Sequence, residues 1–222
     1  MIPATPRLKI CCIRDRSEAE LAIAFGAAAI GLVTEMPSGP GVIPESLIAE
    51  IVDAVPPAVA TFLLTSRIET DSIIEQQRRT GANTLQLVDA VPRGTHEQLR
   101  SALRGGKIVQ VIHVTGPHAV DRALEVAPDV DALLLDSGNP ELPVKELGGT
   151  ARVHDWNLSK DIVQRCGRPV FLAGGLNPKN VALAVQTVQP FGLDVCTGVR
   201  TDGRLDPDKL STYLSAVGYA AQ

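Results

Sequence analysis

Two neighbouring stretches late in the chain decide the fold: PVFLAGGLNPKNV, Pro169 to Val181, and LDVCTGVR, Leu193 to Arg200. Each is an apolar, strand-like run that ends in small residues and then opens a helix. A glycine after a buried strand lets the backbone come close to a ligand, because no Cβ stands in the way. A helix starting just beyond points free N–H groups and the positive end of its dipole at whatever binds. Two such joints in succession match the phosphate-binding end of a (β/α)8 barrel. The plainer reading, that Gly174, Gly175 and Gly198 only make tight turns, leaves the repetition unexplained.

Outward from this stretch, strand-like runs recur at Arg7–Ile13, Ala28–Val33, Val59–Leu64, Asn83–Val88, Lys107–Val114, Asp131–Asp136, Pro169–Leu172 and Leu193–Cys196. Most are nearly continuous apolar runs, as expected of strands buried on both faces. Helical patterns alternate with them: Ser17–Phe25, Pro44–Ala54, Thr70–Thr80, Thr95–Leu103, Pro117–Val126, Asn157–Cys166, Pro178–Val188 and Pro207–Val217. Ser17 with Glu20 three residues on reads as a capping box. Pro44, Pro117, Pro178 and Pro207 suit a first helical turn, where a missing N–H costs nothing. Parallel neighbours need helical crossovers, so eight strands alternating with eight helices predict a closed α/β (TIM) barrel. An open doubly wound sheet is the structural alternative. No low-complexity linker divides residues 1–222, so one domain is expected.

Composition narrows the function. At 222 residues, 45% hydrophobic and 21% charged, the chain can bury a sizeable core. A net charge of −4 with 3% aromatics argues against nucleic acid as partner. The four cysteines, at 11, 12, 166 and 196, have no metal-type spacing. They read as reduced thiols in a cytoplasm, with no metal and no disulfide framework. The apolar run from Leu21 to Val33 is too short to span a bilayer. The beginning MIPATPRLKI lacks the profile of a signal peptide. A cytoplasmic protein is expected, without membrane attachment, as a monomer or homodimer.

Barrel active sites lie where strands end at the C-terminal face. Alternation along Leu8-Lys9-Ile10-Cys11-Cys12 puts Lys9 and Cys11 inside the barrel, and Leu8, Ile10 and Cys12 on the helix side. Asp136 closes a buried strand with a carboxylate, which is costly there unless hydrogen-bonded or used. The longest connection, from Ser137 to Trp156, is rich in Gly and Pro and reads as a ligand-gripping loop.

Taken in order, Lys9-Ile10-Cys11, Gly31-Leu32-Val33, Gln86-Leu87, Leu134-Leu135-Asp136, Gly148-Gly149-Thr150, Asp155-Trp156, Leu172-Ala173-Gly174-Gly175-Leu176-Asn177, Asp194-Val195 and Gly198-Val199 resemble the phosphoribosylanthranilate isomerase family along the whole chain. The resemblance implies an Amadori rearrangement in tryptophan biosynthesis, aldose amine to 1-amino ketose, with no metal or organic cofactor. It implies Asp136 as general acid on the furanose ring oxygen and Cys11 as general base at C2′. Burial would keep an acid protonated, and a cation such as Lys9 would favour a thiolate. The small phosphorylated substrate would be held by backbone N–H groups of Gly174, Gly175, Thr197 and Gly198, ahead of the last helix. Gly148, Gly149 and Thr150 would grip from the long loop, with Gln86 at the rim. Asp155 and Trp156 would hold that loop down.

The chain departs from that family's pattern at several positions. Cys12 and Ala151 replace glycines, Pro40 replaces an arginine facing the anthranilate carboxylate, and Val88 replaces a histidine. Arg200 stands where a glutamate is usual. Arg14, Arg152 and Arg200 are the candidates to receive the carboxylate instead. His113 and His154 read as rim or structural histidines. An isomerase of another phosphorylated sugar amine, or a non-catalytic barrel that binds a phosphometabolite, is the alternative.

Overall fold

The computed structural model describes residues 5–218. Eight strands, β1 (Arg7–Ile10), β2 (Ala29–Val33), β3 (Ala60–Thr65), β4 (Thr84–Leu87), β5 (Lys107–His113), β6 (Ala132–Asp136), β7 (Val170–Leu172) and β8 (Gly192–Val195), pair in parallel in chain order. β8 closes on β1, with Lys9 opposite Asp194. Helices α1 (Arg16–Ala24), α2 (Glu45–Ala54), α3 (Thr70–Thr80), α4 (Thr95–Ala102), α5 (His118–Val126), α6 (Trp156–Arg165), α7 (Val181–Val188) and α8 (Pro207–Val217) alternate with the strands. The expected closed barrel is therefore present, and the open-sheet alternative is ruled out. The outermost residues of the 1–222 span, including Met1 to Ala4, lie outside the described residues.

Alternation along the strands separates two apolar layers. Leu8, Ile10, Ile30, Leu63, Leu133 and Leu172 face outward into the layer beneath the helices. Ala29, Phe62, Val109, Val111, Leu134 and Phe171 fill the barrel interior. There Phe62 and Phe171 meet edge to face, with ring centroids 5.7 Å apart. Among the described residues no helix is long and apolar enough to cross a membrane.

Five local expectations need correction. α1 is capped by Asp15, whose side chain accepts from the Glu18 N–H, and Ser17 instead donates its hydroxyl to Asp15. The stronger acceptor sits two residues earlier and closes the first turn. Pro178 lies three residues ahead of α7, in a turn built by asparagines. Asn180 Oδ1 accepts from the Asn177 N–H, and both amides donate to the Gly175 carbonyl, at 3.0 and 2.9 Å. The run from Leu193 does not lead straight into the last helix. Thr197–Val199 form a 3-10 turn, and β9 (Arg200–Thr201) and β10 (Arg204–Leu205) form a small antiparallel hairpin before α8. Pro44 and Pro117 stand at the N-cap, one residue before the helix proper.

The last correction concerns Cys12, expected on the helix side. β1 ends at Ile10, and Cys12 has φ +62°, so the alternation stops and the thiol turns inward. An L-residue in this left-handed region costs roughly 1–2 kcal/mol.

Candidate active site

One cavity, about 690 Å³ with its mouth included, opens at the C-terminal end of the barrel. Cys11, Gln86, Asp136, Gly148, Gly149, Thr150, Gly174, Gly175 and Thr197 all line it, drawn from five different strand–loop junctions. Lys9 lies beneath, fully buried. Gly198 is not on the wall. A β-carbon there would fall 2.0 Å from the Leu176 carbonyl, so its bareness lets the β8 turn rest on the β7 loop.

Lys9 anchors the floor. Its ammonium donates to Asp194 Oδ1 at 2.8 Å and lies 5.2 Å from the Phe62 ring centre. Burial alone would lower its pKa. The Asp194 carboxylate and then the Cys11 thiol outweigh that and raise it, so Lys9 stays charged. A side chain on Gly31 would occupy the adjoining space, 2.8 Å from Cys11 Sγ and 3.0 Å from Lys9 Nζ. Only a bare backbone there lets the thiol and the ammonium share that corner.

The Cys11 thiol is pulled below its ordinary range, chiefly by a hydrogen bond with Cys12 and against burial, with Lys9 assisting. Asp136 shifts the other way. Burial pushes its carboxyl up, although the Ser137 N–H donates to Oδ1 at 2.7 Å and His113 and Lys9 favour the charged form. The cavity thus holds a thiol shifted toward its thiolate and a carboxyl shifted toward its protonated form. That is the separation an acid–base pair working near neutral pH requires.

The long loop, residues 137–155, closes one side. Thr150 and Ser137 hydroxyls are 2.7 Å apart, and Ser38 donates to the Lys145 carbonyl at 2.7 Å. Gly149 packs on Pro40, where a β-carbon would fall 2.5 Å from the proline ring. Gly175 packs on the backbone of Ala151 and Arg152, which leaves only 2.7 Å for a side chain. Asp155 caps α6 by accepting from the Asn157 N–H. Gln86 is buried, and its Oε1, without a protein partner among the described residues, is free to meet a ligand.

Among the described residues the lining holds no arginine, lysine or histidine, and its carboxyl groups are those of Asp136 and Asp194. Of the three candidate arginines, Arg200 is committed elsewhere. It donates to both Glu18 oxygens at 3.0 Å and to the Cys11 and Cys12 carbonyls at 3.0 and 2.7 Å. The unusual charge at position 200 therefore has a buried partner at 18. Arg152 pairs with Glu146 on the exposed loop. Arg14 is exposed, holds the Gly203 carbonyl at 3.4 Å, and lines a side cavity that shares Cys12, Pro40 and Thr197 with the main one. His113 Nε2–H donates to the Val88 carbonyl in the β4 loop at 2.9 Å. His154 Nε2 meets Ser159 Oγ at 2.7 Å, a structural contact under the loop.

Sequence reading passed over Asp194 as a site residue, and also Glu18 and the inward thiols Cys12 and Cys196. Asp194 carried a signal: like Asp136, it is a lone carboxylate inside an apolar strand. Nothing local marked the others, whose partners are more than 180 residues away.

Residues 8–216 match the family model described as N-(5'phosphoribosyl)anthranilate (PRA) isomerase. The N-(5'-phosphoribosyl)anthranilate isomerase of Haloferax volcanii is 35% identical over 212 residues, which cover 95% of this chain and 92% of that one. A crystal structure of phosphoribosyl anthranilate isomerase from Thermotoga maritima superposes with a TM-score of 0.82 at 26% identity, covering 97% of this chain and all of that one. A second structure, of monomers generated from the dimeric enzyme of the same organism, gives 0.78 at 24% identity over 97% of this chain and 100% of that one. With its barrel, its cavity and its full-length kinship in agreement, this chain belongs to the N-(5'-phosphoribosyl)anthranilate isomerase family.

Proposed function

We infer that this chain isomerises N-(5-phosphoribosyl)anthranilate to the corresponding 1-amino ketose in tryptophan biosynthesis, as one domain over residues 1–222. In this reading Asp136 protonates the ring oxygen of the furanose, opening it to a Schiff base. Cys11, as thiolate, removes the C2′ proton, and the enolamine so formed tautomerises to the ketone. The observation that carries it is the pairing in one cavity of a carboxyl shifted by burial toward its protonated form with a thiol shifted toward its thiolate. Lys9 holds charge beneath the thiol, and Gln86 offers an unpartnered oxygen at the wall.

The phosphate is assigned to the backbone of Gly174, Gly175 and Thr197 with Gly198 behind, and the grip to Gly148, Gly149 and Thr150. The positive φ of Gly174 and Gly175, +81° and +62°, turns that backbone as no other residue would readily turn it. We assign it the state of a monomer or homodimer, with a small phosphorylated substrate as its partner. Four free thiols suit the reducing cytoplasm we assign to it.

The test follows anthranilate fluorescence as purified protein acts on freshly made phosphoribosylanthranilate. Turnover in the parent, abolished in Asp136→Asn and in Cys11→Ala, is the expected result. Full activity in either variant would overturn the acid–base assignment. A folded parent that binds phosphosugar without turnover would favour another phosphorylated sugar amine, since Pro40 leaves the cavity wall without a cation.

A further inference from the structure

Cys12 keeps a side chain where the backbone suits glycine, at φ +62°. Gly41 is bare where that side chain stands: a β-carbon on it would fall 2.5 Å from Cys12 Cβ and 3.1 Å from its Sγ. Arg200 clamps the same turn by donating to the Cys11 and Cys12 carbonyls at 3.0 and 2.7 Å. The thiol so held meets Cys196, whose S–H donates to Cys12 Sγ across 2.8 Å. Both thiols are free, and both line the main cavity.

The contact crosses the seam that closes the barrel. Cys12 follows β1 and Cys196 follows β8, and beside them the Cys11 N–H donates to the Val195 carbonyl at 2.9 Å. A disulfide holds its sulfurs about 2.05 Å apart, so joining this pair moves each sulfur by roughly 0.4 Å. Access to the thiols is uneven. Cys11 and Cys12 are each 6% exposed, whereas Cys196 is half-buried on the wall. A small oxidant entering the cavity therefore reaches Cys196 first, and Cys12 stands behind it as the resolving thiol.

We propose that Cys12 and Cys196 form a reversible oxidation site: hydrogen peroxide joins them in a disulfide that locks the β1–β8 seam and lowers turnover. Cys196 gives up its proton and attacks one peroxide oxygen, forming a sulfenic acid and releasing hydroxide, which takes that proton to become water. The Cys12 sulfur then displaces the hydroxyl from Cys196, and its own proton completes a second water. Two thiols lose two electrons in all, and the peroxide is reduced to water. A dithiol reductant reopens the bond by exchange and is itself oxidised to a disulfide. The link pulls together the loops that carry Cys11 and Thr197. Its effect on turnover rests on the proposed function, in which those loops hold the base and the phosphate; its formation does not.

The test treats the full chain with stoichiometric hydrogen peroxide and maps linked peptides by mass spectrometry of a non-reducing digest, before and after dithiothreitol. A Cys12–Cys196 link that dithiothreitol removes is expected in the parent and absent from Cys12→Ser and Cys196→Ser. The link joins positions 184 apart. Oxidation should therefore raise the parent's Tm by roughly 4–16 °C and leave both variants where they were. Turnover of the parent should fall roughly tenfold, since a misplacement of about an ångström can cost up to about 100-fold, and return with dithiothreitol. The serine variants, unable to link, show what peroxide does to Cys11 alone. A link formed through Cys11 instead, or Cys196 oxidised with no link, would overturn the proposal. So would an oxidised parent as active as the reduced one, or serine variants that lose as much activity as the parent. A reduced parent without isomerase turnover would count against the proposed function, while the link and the Tm still decide this one.

Discussion

Replacing Glu18 by Gln should unfold this protein far more readily than its place on a helix suggests. Glu18 and Arg200 are 3% and 6% exposed at the side chain, and Arg200 Nη1 donates to both carboxylate oxygens at 3.0 Å. The same carboxylate accepts the N–H of Arg14 at 3.1 Å and of Leu205 at 3.0 Å. It thus ties the β1 loop, α1 and the β9–β10 hairpin together behind the site. Glu18→Gln keeps the shape and leaves a buried guanidinium without its counter-charge, a loss of roughly 3–5 kcal/mol. In a chain of this size each kcal/mol moves Tm by about 2–4 °C, so a fall of roughly 6–20 °C is expected. Arg200→Met should cost less, because the stranded carboxylate keeps its two N–H donors. The double variant should lose less than the sum of the two, by a coupling of about 1–3 kcal/mol. Calorimetry and urea melts on all four proteins measure the cycle. A Tm drop under about 3 °C in Glu18→Gln, with additive losses in the double variant, would refute the claim that this pair is a buried strut.

Other outcomes follow from the same geometry. Asp136→Asn should abolish turnover yet stabilise the fold at neutral pH. The folded carboxyl has its pKa raised by burial, so its contribution is present at low pH and lost as pH rises through the folded value. A melt at pH 7.5 in which the Asn variant is the less stable protein would contradict that. Lys9→Met strands Asp194 in the barrel and removes a cation from Cys11. Alkylation of Cys11 should shift to higher pH and Tm should drop, and a thiol titration left in place would remove Lys9 from the account of the base. Gly31→Ala forces a methyl within 2.8 Å of Cys11 Sγ. It should cost about 1–3 kcal/mol of stability by overpacking, together with much of the activity, both read by melts and fluorescence decay. His154 is held down to about 4 by burial, against the pull of Asp155. Stability should therefore be full above pH 6.5 and fall between 6.5 and 4, and His154→Leu should flatten that part of the pH–Tm curve.

The alternation of apolar runs with helical patterns determined the barrel without reference to any distant residue. Strand burial and helix periodicity are properties of a few neighbouring side chains. The same local logic pointed to Asp136 at a strand end and to the bare Gly174–Gly175 rim, because a carboxylate or a glycine pair is anomalous within its own segment. Folding decided what depends on partners brought together by ring closure. Lys9 meets Asp194 only because β8 pairs with β1. Arg200 finds Glu18 across 182 positions, which turned an unexpected charge into a structural tie rather than a substrate contact. Cys12 looked like helix-side core by alternation, but the strand stops at Ile10 and a left-handed residue reverses the side-chain direction. Backbone dihedrals at a strand end answer to the loops packed over it, and those loops come from β2 and β8. Periodicity in the sequence therefore determined the scaffold, and the closed ring decided which side chains reach the cavity and with what charge.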